Sequence, residues 1–189
     1  TVAVRVTEAN DPPLAQDDLV DVTEDSTNNA VTVLANDSPQ GDEGETLTIV
    51  STTTPDQGGT ITIAQGGLSL IYAPRADFFG TERLQYTIDD GNGGTAQASI
   101  VVTVQATNDP PTANNDTFTV VSNATLNPFD VLANDSWQPD GTETLTISAV
   151  GTSSAGGTVL IGGNGSDILY TSLPGFTGVD TFTYTVRDP

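Results

Sequence analysis

The residues in this chain best suited to chemistry are carboxylates and side-chain amides, gathered in a few turn-rich segments. They occur in the connector Asn-Asp-Pro-Pro at 10–13, in the loop at 37–45 and in the run Asp-Asp-Gly-Asn at 89–92. Calcium takes about 6–8 oxygen ligands at about 2.3–2.6 Å, and these are the oxygens it prefers. The chain has no His and no Cys, which excludes zinc sites, thiol nucleophiles and histidine-based triads. The composition therefore predicts binding of a hard divalent cation and no enzymatic activity.

The same acidic segments return 98 positions later. The connector reappears as Asn-Asp-Pro-Pro at 108–111, and Val-Leu-Ala-Asn-Asp-Ser at 33–38 is repeated unchanged at 131–136. A constant offset of this kind indicates two homologous modules rather than chance. The predicted divisions are a closing strand of a preceding repeat at 1–9, a complete module at 10–107, and a module at 108–189 that lacks its final strand.

Short segments rich in Val, Ile, Thr, Leu and Tyr alternate with turns built from Gly, Asp and Asn, and none has a helical period. This pattern is typical of β-strands joined by tight turns. We predict strands at 18–23, 30–35, 45–52, 59–64, 68–73, 81–89 and 95–105, and six counterparts in the second module. Seven short strands at this spacing indicate an all-β fold, in which tandem seven-stranded immunoglobulin-like (cadherin-like) Greek-key sandwiches follow one another.

Alternate loops of such a sandwich lie at the same end. The connector, the loop between strands two and three, and the hairpin between strands six and seven should therefore converge. Like charges held close together repel, and a divalent cation would neutralise them. The candidate calcium ligands of both modules are Asn10, Asp11, Asp17, Asp18, Asp37, Asp42, Glu45, Asp89, Asp90, Asn92, Asn108, Asp109, Asp116, Asp135, Asp140, Glu143 and Asp188.

The two modules differ in some of these acids. Arg187 stands where module one has Asp89, so the hairpin site of module two is not an exact copy. At the opposite end of module one, a further acidic set could reach toward the second connector; it consists of Glu24, Asp25, Asp56 and Asp77.

The repeat resembles the cadherin-like and immunoglobulin-like tandem modules of large RTX-type bacterial adhesins. The likeness rests on Val-Leu-Ala-Asn-Asp-Ser, on Asp-Asp-Gly-Asn-Gly-Gly at 89–94 and on the Asn-Asp-Pro-Pro connectors, which are similar to the calcium linker of cadherins. It implies secretion to the cell surface, extension stiffened by calcium, and a role in attachment or biofilm. The partners it implies are the neighbouring repeats of the same chain.

The net charge of the chain limits the classes of partner that it can bind. The chain carries 25 acidic residues against four arginines and no lysine, a formal net charge of −21. Such a surface repels phosphate backbones and anionic membranes, so neither nucleic acid nor a lipid surface is an expected partner. No apolar run approaches the roughly 18 residues that a membrane span needs.

Two other functions stay open. Trp137, the only tryptophan, lies in an acidic loop and could stack on a sugar, as in a carbohydrate-binding accessory module of a secreted enzyme. Alternatively, residues 1–7 of one chain could fill the open edge of another and build a filament by strand donation.

Overall fold

The computed structural model of the protein describes residues 1–5, 9–40, 44–140 and 143–189. The chain divides into two compact units: unit 1, Thr1–Thr107, and unit 2, Asn108–Pro189. Strands and short 3-10 turns make up the regular structure of the described ranges, which confirms the predicted all-β class. In those ranges no helix is long and apolar enough to cross a membrane.

Unit 1 is a sandwich of two sheets. One sheet has the order β1-β7-β6-β3 and the other β2-β5-β4. β1 runs parallel to β7, and the other pairs are antiparallel. The strands are β1 (Asp18–Thr23), β2 (Asn29–Val31), β3 (Thr48–Thr52), β4 (Thr60–Ile63), β5 (Leu70–Ala73), β6 (Gly80–Asp89) and β7 (Thr95–Gln105).

Alternation along the two longest strands builds the core of unit 1. In β7, every second residue from Ala98 to Val104 is buried, and in β6 the same is true from Glu82 to Ile88. Successive side chains of a strand point to opposite faces, so these residues meet the facing sheet while their neighbours meet solvent. Tyr72 and Tyr86, both fully buried, complete this core.

Unit 2 has the same arrangement with fewer strands. Its sheets have the orders β10-β11-β8 and β12-β9. The strands are β8 (Asn127–Phe129), β9 (Thr146–Val150), β10 (Thr158–Gly162), β11 (Asp167–Thr171) and β12 (Tyr184–Arg187). Its core is smaller. Four aromatic rings, Phe118, Phe129, Tyr170 and Phe182, stack in a row at centroid separations of 4.4, 5.7 and 6.0 Å, and Phe118 is the exposed one.

The predicted strands differ from the observed ones in several places. Unit 2 has five strands instead of six because 116–121, the counterpart of β1, forms none. In unit 1, β1 pairs with β7 alone, so a unit without a β7 leaves that segment unpaired. Residues 33–35 form a 3-10 turn after β2. Residues 1–5 are exposed and in no strand, since a single strand needs a partner.

Candidate metal-binding sites

Unit 2 gathers five of the predicted ligands at the start of the unit. Asn108 Nδ2 donates to Asp188 Oδ1 at 3.4 Å, and the backbone N–H of Asp109 donates to Asp140 Oδ2 at 2.7 Å. Glu143 lies close enough to Asp140 and Asp188 for both charges to act on it. The connector, the loop after β8 and the residues after β12 thus converge, and we call these five residues the unit 2 acidic cluster.

The electrostatics of this cluster favour a bound cation. Desolvation raises the pKa of Glu143, and the neighbouring charges of Asp140 and Asp188 raise it further. Glu143 Oε2 and Asp188 Oδ2 are each inaccessible to solvent and accept no hydrogen bond from any described residue. Carboxylate oxygens that are removed from water and left without donors are costly unless a cation compensates them. The donor set, all oxygen and with several charges, fits calcium.

Unit 1 has an equivalent cluster at an offset of 98 residues. Asn10 Nδ2 donates to Asp90 Oδ2 at 3.1 Å, and Asn92 Nδ2 donates to Glu45 Oε1 at 2.6 Å. Glu45 Oε2 is buried with no donor among the described residues, as is its counterpart in Glu143. We call Asn10, Glu45, Asp90 and Asn92 the unit 1 acidic cluster; Asp11, the counterpart of Asp109, directly follows Asn10 in the sequence. Asp42, the predicted fifth ligand and the counterpart of Asp140, lies outside the described residues.

The turn after β6 holds Asp90 rigidly in the unit 1 acidic cluster. Asp90 Oδ1 accepts the backbone N–H groups of Asn92 at 2.8 Å and Gly94 at 3.0 Å. Burial opposes its ionisation, but these hydrogen bonds and that from Asn10 outweigh it and lower the pKa of Asp90. A Cβ at Gly94 would lie 2.1 Å from Asp90 Oδ2 and 2.9 Å from Pro12 Cα, so only glycine lets the connector pass this closely.

Two of the remaining predicted ligands of unit 1, Asp18 and Asp37, lie in a different network around the Tyr86 hydroxyl, and Asp17 and Asp89 contact backbone N–H groups elsewhere. This hydroxyl is 2.9 Å from Gln16 O and 3.0 Å from both Asp37 oxygens. The pKa of Asp18 is raised. Burial is the main cause and the charge of Asp37 adds to it, whereas a hydrogen bond with Tyr86 opposes the shift. Asp17 Oδ1 accepts from Ser99 N at 2.8 Å, and Asp89 Oδ1 from Gly91 N at 2.7 Å.

Unit 2 repeats the tyrosine network. The Tyr184 hydroxyl lies 3.0 Å from Asp116 Oδ2 and 3.2 Å from the Asp135 carboxylate, and Asp135 Oδ1 also accepts from Asn114 N at 2.7 Å. In both units these carboxylates tie the connector to the loop after the second strand by protein hydrogen bonds. Their role as metal ligands stays a prediction. Asp37 and Asp135 accept protein hydrogen bonds through their carboxylates, whereas Asp18 and the two acidic clusters each have a buried oxygen without a donor among the described residues.

The other end of unit 1 is also acidic, but its counterpart in unit 2 is not. Asp77 N donates to Asp25 Oδ1 at 3.1 Å, and Thr107 N donates to Glu24 Oε1 at 2.6 Å, where the chain leaves the unit. In unit 2 the corresponding contact, from Gly175 N to Asn123 Oδ1 at 2.8 Å, is retained without charge. Asp56, the fourth acid predicted at this end, instead accepts a hydrogen bond from the backbone N–H of Arg83 to its Oδ1 atom at 2.8 Å.

A buried acid paired with a tyrosine was not among the predicted sites. Glu82 is fully buried, accepts the Tyr72 hydroxyl, and receives Gln57 N and Gly59 N at 2.8 and 2.9 Å. In unit 2, Asp180 receives the Tyr170 hydroxyl at 2.8 Å and Ala155 N at 2.8 Å. The sequence did contain a signal for this pair, because an acid (Glu82 and Asp180) and a tyrosine (Tyr72 and Tyr170) each recur at the offset of 98. Every oxygen of this pair has donors, so the pair is structural.

Trp137 lies in the loop that leads to Asp140. Its side chain is half-buried, and its Nε1 atom is inaccessible to solvent with no hydrogen-bond acceptor among the described residues. The indole is therefore close in sequence to the unit 2 acidic cluster but only partly available for stacking on a sugar ring.

Comparisons with known proteins agree with this architecture. The family described as "Bacterial Ig domain" matches the chain twice, over residues 10–103 and 108–189. A comparison with curated proteins found no significant match.

Similar solved structures include cadherin ectodomains. Drosophila N-cadherin EC1-4 is 16% identical with a TM-score of 0.62, covering 92% of this chain and 44% of that one. The protocadherin GammaB4 extracellular domain is 20% identical with a TM-score of 0.53, covering 99% and 34%. Human desmocollin-1 is 12% identical with a TM-score of 0.51, covering 95% and 38%. The chain spans less than half of each, and the likeness is one of fold.

Proposed function

The chain belongs to the bacterial Ig domain family, and from that premise we propose that it is a calcium-stiffened spacer of a cell-surface adhesin. In this role the modules hold a distant binding domain away from the cell, as the resemblance to RTX-type adhesins implies. Attachment or biofilm formation would be the result. The observation that carries the proposal is the pair of acidic clusters, which share their residue types, their spacing and their buried, donor-free carboxylate oxygens.

Calcium would act on the connector. Asn108 and Asp109 directly follow unit 1 in the chain, yet they belong to the unit 2 acidic cluster. An ion shared by these residues and by Asp140, Glu143 and Asp188 would fix the connector to the body of unit 2. The bending freedom of the chain between the modules would fall accordingly.

Binding to the folded state alone would also stabilise it. At a free calcium concentration 100 times the dissociation constant, the gain is about 2.7 kcal/mol per site. Extracellular calcium modules bind at about 10⁻⁴–10⁻³ M, so millimolar calcium is the relevant range.

The test is thermal unfolding of the full chain in millimolar calcium and in chelator, with isothermal titration for stoichiometry. We expect a rise in melting temperature that is reduced in Glu143→Gln and retained in Asp130→Asn. Asp130 is an exposed acid of the same unit that is in neither cluster, so its variant controls for loss of one charge. Coincident melting curves in calcium and in chelator would refute the proposal.

The position of Trp137 provides a second readout. Terbium commonly replaces calcium in oxygen sites, and an indole three residues from Asp140 should sensitise its luminescence when bound there. The signal should fall when calcium is added, and Trp137→Phe should lose it while keeping the thermal shift.

A further inference from the structure

The tripeptide Gly-Asn-Gly occurs twice in the chain, at 91–93 and at 163–165. An asparagine that precedes a glycine is prone to lose its side-chain amide spontaneously, because glycine has no side chain to hinder attack by its own backbone nitrogen. No other asparagine of the chain precedes a glycine. Since the two tripeptides are identical, a difference in their reactivity has to come from the structure around them.

The first copy forms the tip of the hairpin between β6 and β7. Asn92 and Gly93 are both exposed. Gly91 and Gly93 have φ of +86° and +106°, and a Cβ added to either would meet nothing within 4 Å. No packed neighbour therefore prevents the backbone nitrogen of Gly93 from turning toward the side chain of Asn92.

The second copy is packed against a neighbouring strand. Residues 163–165 form a 3-10 turn between β10 and β11, in which Asn164 has φ 59° and ψ 28°. Ser166 closes this turn by donating to the carbonyl of its first glycine, at 3.2 Å from the backbone nitrogen and 2.8 Å from the hydroxyl. Gly165 is buried, and a Cβ there would lie 3.1 Å from Ile147 O on β9. The backbone nitrogen of Gly165 cannot reach the Asn164 amide unless the turn separates from β9.

The groups around Asn92 suit the loss of its amide. Asn92 Nδ2, the nitrogen that would leave, donates to Glu45 Oε1 at 2.6 Å. Because this nitrogen takes up a proton as it leaves, the carboxylate of Glu45 lies where positive charge develops. Burial raises the pKa of Asp90, but hydrogen bonds lower it on balance, and the N–H of Gly93 contributes less to this than those of Asn92 and Gly94. The attacking nitrogen is thus the one that Asp90 holds least firmly.

We propose that Asn92 is a site of spontaneous modification, at which the side-chain amide becomes a carboxyl group while Asn164 stays intact. The backbone nitrogen of Gly93 bonds to Cγ of Asn92, and its proton passes to water. The Cγ–Nδ2 bond breaks, and Nδ2 takes a proton from solvent and leaves as ammonia. Water then opens the cyclic imide at either carbonyl carbon. The products are aspartate or isoaspartate at position 92 and one ammonium ion, and no oxidant or reductant takes part.

The modification changes the unit 1 acidic cluster. Glu45 Oε1 loses the donor that Asn92 Nδ2 supplied, and Glu45 Oε2 already has none among the described residues. A new negative charge also stands beside Glu45, so unit 1 should lose stability in chelator. In calcium the loss should be reversed, because an added carboxylate strengthens calcium binding; this last expectation rests on the proposed function.

The test is ageing of the full chain in chelator at mildly alkaline pH, followed by peptide mapping with mass spectrometry. The peptide containing Asn92 should gain the mass of an amide-to-carboxyl conversion several-fold faster than the peptide containing Asn164. The same chain in denaturant is the matched control, because there the two identical tripeptides should react at similar rates. Equal rates in the folded chain, faster conversion at Asn164, or a difference that persists in denaturant would overturn the proposal.

Two variants measure the effect of the modification on stability. In chelator, Asn92→Asp should lower the melting temperature by more than Asn164→Asp, which adds the same charge on an exposed turn outside both clusters. Equal melting temperatures of the two variants would refute the assigned effect on the cluster. If the mass increment is present and calcium does not reverse the loss in Asn92→Asp, the result counts against calcium binding at this cluster and not against the modification.

Discussion

The side-chain amide of Asn10 donates a hydrogen bond to the carboxylate of Asp90, across 80 residues of chain. The same contact joins Asn108 to Asp188 in unit 2. In each unit it ties the first residue of the connector to the turn that follows the sixth strand of the sandwich. The acids beside the two contacts have opposite pKa shifts: the pKa of Glu143 in unit 2 is raised, whereas that of Asp90 in unit 1 is lowered. Removing the charge should therefore have opposite effects on stability in the two units when calcium is absent.

In the unit 2 acidic cluster, Glu143→Gln should have opposite effects with and without calcium. The folded-state pKa of Glu143 is raised, so its ionisation costs stability as pH rises through that pKa. At neutral pH in chelator the variant should therefore melt slightly higher than the natural chain. In calcium it should melt lower, because a ligand is lost. Differential scanning calorimetry measures both, and a lower melting temperature in chelator would contradict the prediction.

In the unit 1 acidic cluster, Asp90→Asn should destabilise even without calcium. The pKa of Asp90 is lowered because backbone N–H groups of Asn92 and Gly94 stabilise its charged form despite burial. Its contribution is thus present above the unfolded-state pKa of about 3.9 and is lost as pH falls below it. The deficit of Asp90→Asn in chelator should shrink on acidification. Asp21→Asn, an exposed acid on β1, is the control.

Gly94→Ala should destabilise unit 1 by about 1–3 kcal/mol, the usual cost of overpacking. The added Cβ meets Asp90 Oδ2 at 2.1 Å and the Pro12 backbone at 2.9 Å, so the connector has to move. Gly91→Ala is the matched control in the same hairpin, because its Cβ meets nothing within 4 Å but its φ of +86° adds backbone strain. Gly94 has no positive φ, so its loss would come from the contacts of the added Cβ; chemical denaturation that showed no loss from Gly94→Ala would contradict the prediction.

The two tyrosine networks should differ in energy although their contacts match. Tyr86→Phe removes a fully buried hydroxyl and leaves Asp37 without that donor, at a cost of about 1–3 kcal/mol. Tyr184→Phe should cost less, since Tyr184 is only partly buried. Urea denaturation of both variants provides the comparison, and a larger loss at Tyr184 would contradict it.

Asp180→Asn should lower stability at neutral pH and matter less in acid. Burial opposes ionisation of Asp180, but hydrogen bonds from Ser153, Ala155 and Tyr170 hold its pKa well below the ordinary value. The stability it contributes is complete above the unfolded-state pKa of about 3.9 and declines as pH falls from there. Melting temperatures of the variant and the natural chain should therefore converge toward low pH. A difference that stays constant with pH would show that the charge of Asp180 is not involved.

The offset of 98 predicted more of this molecule than any single motif. It aligned Asn10 with Asn108 and Glu45 with Glu143, and the structure brings both pairs into equivalent clusters. Strand alternation placed β1 and β7 to the residue, because both combine β-branched residues with clear turns at their ends. The fold class followed from the number and spacing of such strands.

The sequence alone did not predict which groups each acidic side chain contacts. An acid on a turn has the same pattern whether it accepts a tyrosine hydroxyl, as Asp37 does, or has a buried oxygen without a donor, as Glu45 does. That distinction depends on three-dimensional packing over 49 residues of separation in the case of Asp37. The sequence also did not predict that 116–121, the counterpart of β1, forms no strand. In unit 1 the pairing of β1 depends on β7, which is far from it in the sequence.

The parallel pair β1 and β7 has a mechanical consequence for unit 1. The chain enters unit 1 through β1 and leaves it through β7, and the two are paired side by side over six positions. Tension along the chain would slide one strand past the other, so all of those hydrogen bonds would resist together. We therefore expect unit 1 to resist single-molecule stretching until this pair of strands separates.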